Sequence, residues 1–132
     1  MSLQGIDHFV LTVSDINAAV EFYQALGMER REFGAETGKV RVALHFGAQK
    51  INLHRAMGEP ATPKADNPGT GTADFCLIDN DLTDVARRLA AVNVPIELGP
   101  VARTGASGPI RSIYVRDPDG NLVEIAAYER NS

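Results

Sequence analysis

His8, His54, Asp74 and Glu124 are the residues of this chain whose types could together hold a divalent metal ion. Two imidazoles with one or two carboxylates suit Zn²⁺, Fe²⁺, Mn²⁺, Ni²⁺ and Co²⁺, which all accept mixed nitrogen and oxygen ligands. Two histidines and one carboxylate also leave coordination positions open for water or substrate, as Lewis-acid catalysis requires. Glu124 carries the sharpest local signal. It follows Arg116-Asp117-Pro118-Asp119-Gly120-Asn121, in which proline pre-sets φ and glycine supplies φ > 0, the chemistry of a tight turn. Leu122-Val123-Glu124-Ile125-Ala126 then reads as a strand, with Val123 and Ile125 on one face and Glu124 on the other. A carboxylate on the inner face of an apolar strand is costly unless it is paired or bound to a metal. Taken singly, each of the four also has a plain structural reading: a satisfied strand histidine, a solvated glutamate, an aspartate serving a turn or cap.

The elements that must position these residues repeat. Residues 5–13 alternate as a strand, with Phe9, Leu11 and Val13 on one face and His8, Val10 and Thr12 on the other. Ser14 or Asp15 caps a helix carrying Ile16, Ala19, Val20, Tyr23 and Leu26, and Gly27 stops it. Residues 29–34 make a second strand, and Val40 to Phe46 with Lys50 to His54 make a hairpin around Gly47-Ala48-Gln49. Residues 56–71, with Gly58, Pro60, Pro63, Pro68, Gly69 and Gly71, read as a linker or surface excursion. The order then recurs. Ala73 to Ile78 is a strand, Asp81 caps a helix carrying Leu82, Val85, Ala86, Leu89 and Val92, and Pro95 to Leu98 is a short strand. A Gly-rich loop from Gly99 to Pro109 leads to a second hairpin, Ile110 to Arg116 with Leu122 to Tyr128.

Laid on one another, the halves match His8 with Asp74, Leu26-Gly27-Met28 with Val92-Asn93-Val94, and Ile51-Asn52-Leu53 with Val123-Glu124-Ile125. Asn52 therefore aligns with Glu124, and His54, two residues on, faces the same way. Helices on one face of each sheet leave the other face uncovered. The expected fold is α+β: two tandem βαβββ modules forming a half-open, mixed-sheet cup with the helices outside. The chain is expected to be one domain over residues 1–132, with module one about 5–56, a linker 57–71 and module two about 72–128. His8, Asp74 and Glu124 fall on the inner wall of that cup.

A formal charge of −4 argues against nucleic acid or an anionic membrane as the main partner, which leaves a small-molecule substrate. No apolar run approaches the roughly 20 residues of a membrane span, and no signal peptide precedes the first strand. The single cysteine, Cys76, excludes an internal disulfide, so the expected location is a reducing cytoplasm. Among further polar residues, Arg103 and Arg111 have the fork geometry to take a carboxylate or phosphate of a substrate, although a solvated arginine on a surface loop is the plainer reading of each. Tyr114 shares a parity with Ser112, opposite to Ile113 and Val115, so its hydroxyl is expected to line the cup. Cys76 reads as a small apolar filler. The glycines fit neither a dinucleotide fingerprint nor a phosphate loop.

Three stretches resemble the vicinal oxygen chelate superfamily, the glyoxalase/bleomycin-resistance/extradiol-dioxygenase family. They are Ile6-Asp7-His8-Phe9-Val10-Leu11-Thr12-Val13, the run from Ala19-Val20-Glu21-Phe22-Tyr23 to Leu26-Gly27-Met28, and the closing Arg116 to Ile125. The resemblance covers about residues 5–128. Lys50 to His54, Val94 to Glu97, Gly99 to Val101, Arg103 to Gly105 and Gly108 to Ile110 are similar to small glyoxalase-domain-containing proteins. The resemblance implies paired modules, a homodimer, and a divalent metal ion (Zn, Fe, Mn, Ni or Co) on the concave sheet. It implies His8 and Glu124 as ligands. The second module's first strand usually supplies histidine, where this chain has Asp74. At the remaining position the choice lies between Asn52, by alignment, and His54, by ligand chemistry; His54 is preferred. The function expected is that of a metal-dependent lyase, isomerase or dioxygenase. Such an enzyme would chelate vicinal oxygens of a small substrate and stabilise an enediolate or oxyanion, with Glu124 also shuttling a proton. The alternative is non-catalytic sequestration of a small molecule, in the bleomycin-resistance manner.

Overall fold

The computed structural model describes residues 2–57 and 63–129, so Gly58 and Pro60 of the expected linker lie outside the described residues. The chain divides into two compact units, residues 1–71 and 72–132. The first contains β1 (His8–Val13), α1 (Ile16–Ala25), β2 (Glu29–Phe33), a short 3-10 turn (Ala35–Thr37), β3 (Arg41–Phe46) and β4 (Gln49–Arg55). The second contains β5 (Asp74–Ile78), α2 (Leu82–Ala91), β6 (Leu98–Gly105), β7 (Gly108–Arg116) and β8 (Leu122–Tyr128). Each unit is one βαβββ module whose four strands form an open, mixed sheet, ordered β1-β4-β3-β2 and β5-β8-β7-β6. The first strand of each pairs in parallel with the last, and the other pairings are antiparallel. The fold is α+β, as the repeat implied.

The helices form where the spacing put them. Asp15 accepts the Ala18 amide at 3.1 Å and Asp81 the Asp84 amide at 3.0 Å, and each satisfies one of the orphan N–H groups of a first turn. Ala19, Val20, Phe22 and Tyr23 of α1 are buried, as are Val85 and Leu89 of α2. Behind α1, the covered face of the first sheet carries Leu11, Val13, Leu44, Ile51 and Leu53; in the second, Ile113, Val115, Val123 and Ile125 take this role. Gly27 (φ 104°) and Asn93 (φ 60°) stand at equivalent positions just past the two helices, where a left-handed residue ends the turn.

Two expectations are corrected. Pro95 to Leu98 is not a separate short strand: the strand begins at Leu98, and Pro95, Ile96 and Glu97 precede it. The stretch from Gly99 to Pro109 is not a loop: β6 runs through Gly105, and Val101 to Gly105 pair residue by residue with Ser112 to Gly108. Glycine spacing suggested a loop, but here a glycine admits a strand. A Cβ on Gly99 (φ +117°) would run into the carbonyl oxygen of Ser112 and come within 2.9 Å of the Ile113 Cα. The register shift between Leu98 and Val101 absorbs this close approach. Arg103 consequently sits on a strand rather than on a flexible segment.

Candidate functional site

Register assigns each polar residue to a face, because directly paired residues share one. On the first sheet the face away from α1 is built of three rows. His8, Lys50, His45 and Glu29 form one, Val10, Asn52, Ala43 and Arg31 the next, and Thr12, His54, Arg41 and Phe33 the third. His8 and His54 thus share a face but lie two rows apart, because His54 pairs with Thr12, four residues beyond His8. At about 3.3 Å per residue that is about 13 Å along the strand, too far for two imidazoles to meet on one ion. The sheet does not bring His8 and His54 together. His54 Nε2 instead accepts from Arg41 Nη1 at 3.5 Å.

Asn52 occupies the row between them, diagonal to His8. It is 8% exposed, and its Oδ1 has no hydrogen-bond partner. Such a buried amide oxygen leaves free energy uncollected until a donor or a cation reaches it. Asp7 Oδ1 lies 2.7 Å from His8 Nδ1, and this hydrogen bond holds the Asp7 carboxyl below its usual range. The pairing fixes one ring nitrogen of His8 and leaves Nε2 as the other donor atom. Lys50 Nζ stands 4.1 Å over the Phe33 ring, so an ammonium and an aromatic surface also mark this face.

The second sheet repeats the diagonal. Asp74 pairs with Leu122, and Cys76 with Glu124, so Asp74 stands to Glu124 as His8 stands to Asn52. Across the sheet Glu124 pairs with Tyr114, which pairs in turn with Leu98. Ser112, fully buried, donates its hydroxyl to Glu124 Oε2 at 2.6 Å and so fixes the carboxylate's orientation. The Cys76 thiol is pushed up to about 11, first by desolvation and then by the charge and hydrogen bond of Glu124. At neutral pH it is a thiol, not a nucleophile. Arg103 Nε donates to Tyr114 Oη at 3.0 Å, with its guanidinium 5.5 Å from the ring centroid. The phenol oxygen accepts there, so its own proton can be donated to another group.

Arg111 stands apart from these. It pairs with Ala127, on the face opposite to Glu124 and Tyr114, and lines a cavity beside the start of α2. Sequence reasoning passed over Lys50, Arg31 and Phe33 as site residues, although the alternation through Lys50-Ile51-Asn52-Leu53-His54 carried the signal for Lys50. It noted the parity of Ser112 but not its bond to Glu124. Among the described residues, no three His, Cys, Asp or Glu side chains are gathered into one metal-binding group. What the modules supply is a diagonal pair each, His8 with Asn52 and Asp74 with Glu124. By type, the imidazole and amide oxygen of the first pair and the two carboxylates of the second are each donors that borderline divalent ions accept.

The turn before β8 positions Glu124. Asp117 Oδ1 accepts the amides of Asp119 at 3.0 Å and Asn121 at 2.9 Å, and its Oδ2 accepts Asn121 Nδ2 at 2.8 Å. Asn121 Oδ1 in turn accepts the Ala73 amide at 2.9 Å. The Asp-Pro-Asp-Gly-Asn segment is therefore a clasp that sets the register of β8 against β5.

The sequence matches the profile of the Glyoxalase/Bleomycin resistance protein/Dioxygenase superfamily over residues 5–125. Virulence protein STM3117 of Salmonella typhimurium is 50% identical over 130 residues, which span 97% of this chain and 87% of that protein. Its crystal structure superposes with a TM-score of 0.89 at 47% identity, covering 98% of this chain and 100% of that one. The glyoxalase domain-containing protein RDO1 of Mycosarcoma maydis is 44% identical over 130 residues, 98% of this chain and 71% of that protein. The crystal structure of lactoylglutathione lyase from Agrobacterium tumefaciens matches with a TM-score of 0.69 at 26% identity, covering 95% and 94% of the two chains. The chain belongs to the glyoxalase/bleomycin resistance protein/dioxygenase superfamily.

Proposed function

We propose that this protein is a metal-dependent enzyme acting on a small substrate with vicinal oxygens, with His8 and Glu124 as metal ligands and Asp74 and Asn52 completing the set. The reading is carried by one observation: the buried, unpartnered Asn52 Oδ1 stands at the same module position as the Ser112-oriented carboxylate of Glu124. Asn52 replaces His54 in the proposal because the imidazole of His54 lies against the Arg41 guanidinium. A divalent ion bound by these groups supplies Lewis-acid stabilisation of negative charge building on a substrate oxygen.

The chain's own residues do the rest. Ser112 holds Oε2 of Glu124 so that the carboxylate keeps one orientation while it takes up or returns a proton. Tyr114, whose oxygen accepts from Arg103, donates its phenol proton to a substrate oxygen. Arg103 keeps that phenol in place and adds a positive charge beside it. The lactoylglutathione lyase neighbour favours lyase or isomerase chemistry over oxygenation. The proposal includes a homodimer in the cytoplasm, checked by light scattering and by fractionation.

The test is metal content. Wild-type protein prepared without chelator, and again after incubation with Zn²⁺, Mn²⁺, Ni²⁺ or Fe²⁺, is compared with His8→Ala and Glu124→Gln. Near-stoichiometric metal in the wild type that is lost in both variants supports the reading and justifies assays with 2-oxoaldehydes, catechols and epoxides. No retained metal under any of these conditions overturns it and points to small-molecule sequestration instead.

A further inference from the structure

Each module has a cavity beside the start of its helix, and the two are chemically unlike. In the first module the cavity is about 660 Å³ and is lined by Ser14, Asp15, Asn17, Val42 and Leu53 together with Arg30, Lys39, Arg41 and Arg55. In the second it is about 370 Å³, with Arg111 as its one cation against Asp81 and Glu129. The fold position is shared, but the charge is not. Matching β4 to β8 sets Arg55 where the second module has Ala127. The fold therefore does not require cations at this place, and the first module has gathered them in a chain whose net charge is −4.

We propose that the first-module cavity is a binding site for an organic phosphate monoester, separate from the His8 and Glu124 residues. Arg30 pairs with Leu44, and Arg55 with Val13, so both guanidiniums stand on the covered face and reach the cavity from different strands. Lys39 enters from the turn before β3. Two guanidinium forks and an ammonium match the oxygens of a phosphate better than any single cation does. Among the lining residues Asp15 is the one carboxylate, and Glu32, beside the cavity, accepts from both Nη atoms of Arg30, at 3.2 and 3.3 Å, an exposed pair that a phosphate can compete with. The helix start contributes little to the attraction, because Asp15 already takes the Ala18 amide. Val42 and Leu53 give the cavity an apolar wall, and its volume exceeds what a bare phosphate fills, which is why the ligand carries an organic body.

The experiment is a titration of the ¹⁵N-labelled 132-residue protein at low salt with inorganic phosphate, phenyl phosphate and, as the neutral control, phenol. Phenyl phosphate is expected to shift the amides of Asn17, Lys39 and Arg55 selectively, and the affinity is expected to fall with added salt. Arg55→Gln and Lys39→Gln should each weaken it about 10-fold, the size of one charge-assisted contact. Lys39 lies in an exposed turn, so its variant keeps the test open even if Arg55→Gln fails to fold. Equal affinity for both phosphates would keep the site and make inorganic phosphate its ligand. Shifts scattered over basic residues elsewhere, or affinities unchanged in both variants, would overturn the proposal. Metal content plays no part in the readout, so this site and the proposed metal chemistry stand or fall separately.

Discussion

Replacing Asn121 by alanine should cost this small protein a large share of its stability. The side chain is 1% exposed and makes two bonds, accepting the Ala73 amide at 2.9 Å and donating to Asp117 Oδ2 at 2.8 Å. Alanine removes both and leaves the Ala73 N–H and an oxygen of the buried Asp117 carboxylate without those partners. An unmade bond of this kind costs about 1–3 kcal/mol, and more when the group is charged, so the expected loss is about 3–5 kcal/mol. Two backbone donors to Asp117 Oδ1, from Asp119 and Asn121, survive the change and keep the figure from rising further. A typical domain has only about 5–15 kcal/mol to lose. In urea, with a slope of about 1.5 kcal/mol/M for a chain of this size, the midpoint should fall by about 2–3 M. Because Leu122 N donates to Ala73 O at 3.0 Å, the loosened clasp also sits at the first rung of the β5–β8 ladder. Hydrogen exchange in Cys76 and Glu124 should accordingly rise before that of β6 and β7. A loss below about 1 kcal/mol would mean that water replaces both bonds, and the account of the turn as a clasp would be refuted.

Four further outcomes are expected. Ser112→Ala should lower stability by about 1 kcal/mol, because Glu124 is half-buried and regains water, yet weaken binding of the proposed metal about 10-fold or more, read by competition with a chromogenic chelator. Cys76 should react with iodoacetamide at pH 8 about 100-fold more slowly than an ordinary thiol, and Glu124→Gln should speed it up; a rate matching a free peptide thiol would contradict the placement beside Glu124. Glu97 is held below its usual range by its bond to Arg116, so this pair contributes above about pH 4.5 and loses its contribution as pH falls; Glu97→Gln should flatten the acid limb of an unfolding-against-pH curve. Gly99→Ala should destabilise by more than about 2 kcal/mol in thermal melts, since its Cβ would meet backbone of β7 and its φ of +117° strains any L side chain.

The parts of the fold that were legible in the sequence share one property: each was written twice. Asp15 and Asp81 mark the two helix starts, Gly27 and Asn93 their ends, and Leu11 and Leu77, paired with Leu53 and Ile125, the covered faces. Strand parity correctly separated Glu124 and Tyr114 from Ile113 and Val115. It also carried the information that Arg111 faces away from Tyr114, an inference the preference for an arginine fork passed over. What could not be read was register. Choosing between Asn52 and His54 required knowing that Val10 sits opposite Asn52 and that Arg41 reaches His54, and nothing local in either segment states this. The strand through Arg103 was hidden for a related reason: Gly99 and Gly105 are there for close backbone and side-chain approaches, which resemble loop chemistry until the neighbouring strand is known.

Duplication also separates what the backbone requires from what a ligand requires. Positions that keep one type in both modules, Leu53 with Ile125, Ile51 with Val123 and Asp15 with Asp81, answer to packing and capping alone. His8 with Asp74, and Asn52 with Glu124, diverge in charge yet remain polar on faces where Val10 shows that an apolar residue is tolerated. Packing cannot explain a polar residue kept at no structural gain, least of all a buried amide oxygen left unpartnered. Asn52→Leu therefore gives a direct discrimination. If Asn52 serves the fold, removing its amide should destabilise the protein. If it serves a ligand, leucine should leave stability unchanged or raise it, because an unsatisfied polar group has been exchanged for an apolar one of similar size, while binding of the proposed metal falls. Higher stability with unchanged metal content would detach Asn52 from the proposed site and leave His8, Asp74 and Glu124 to hold the ion.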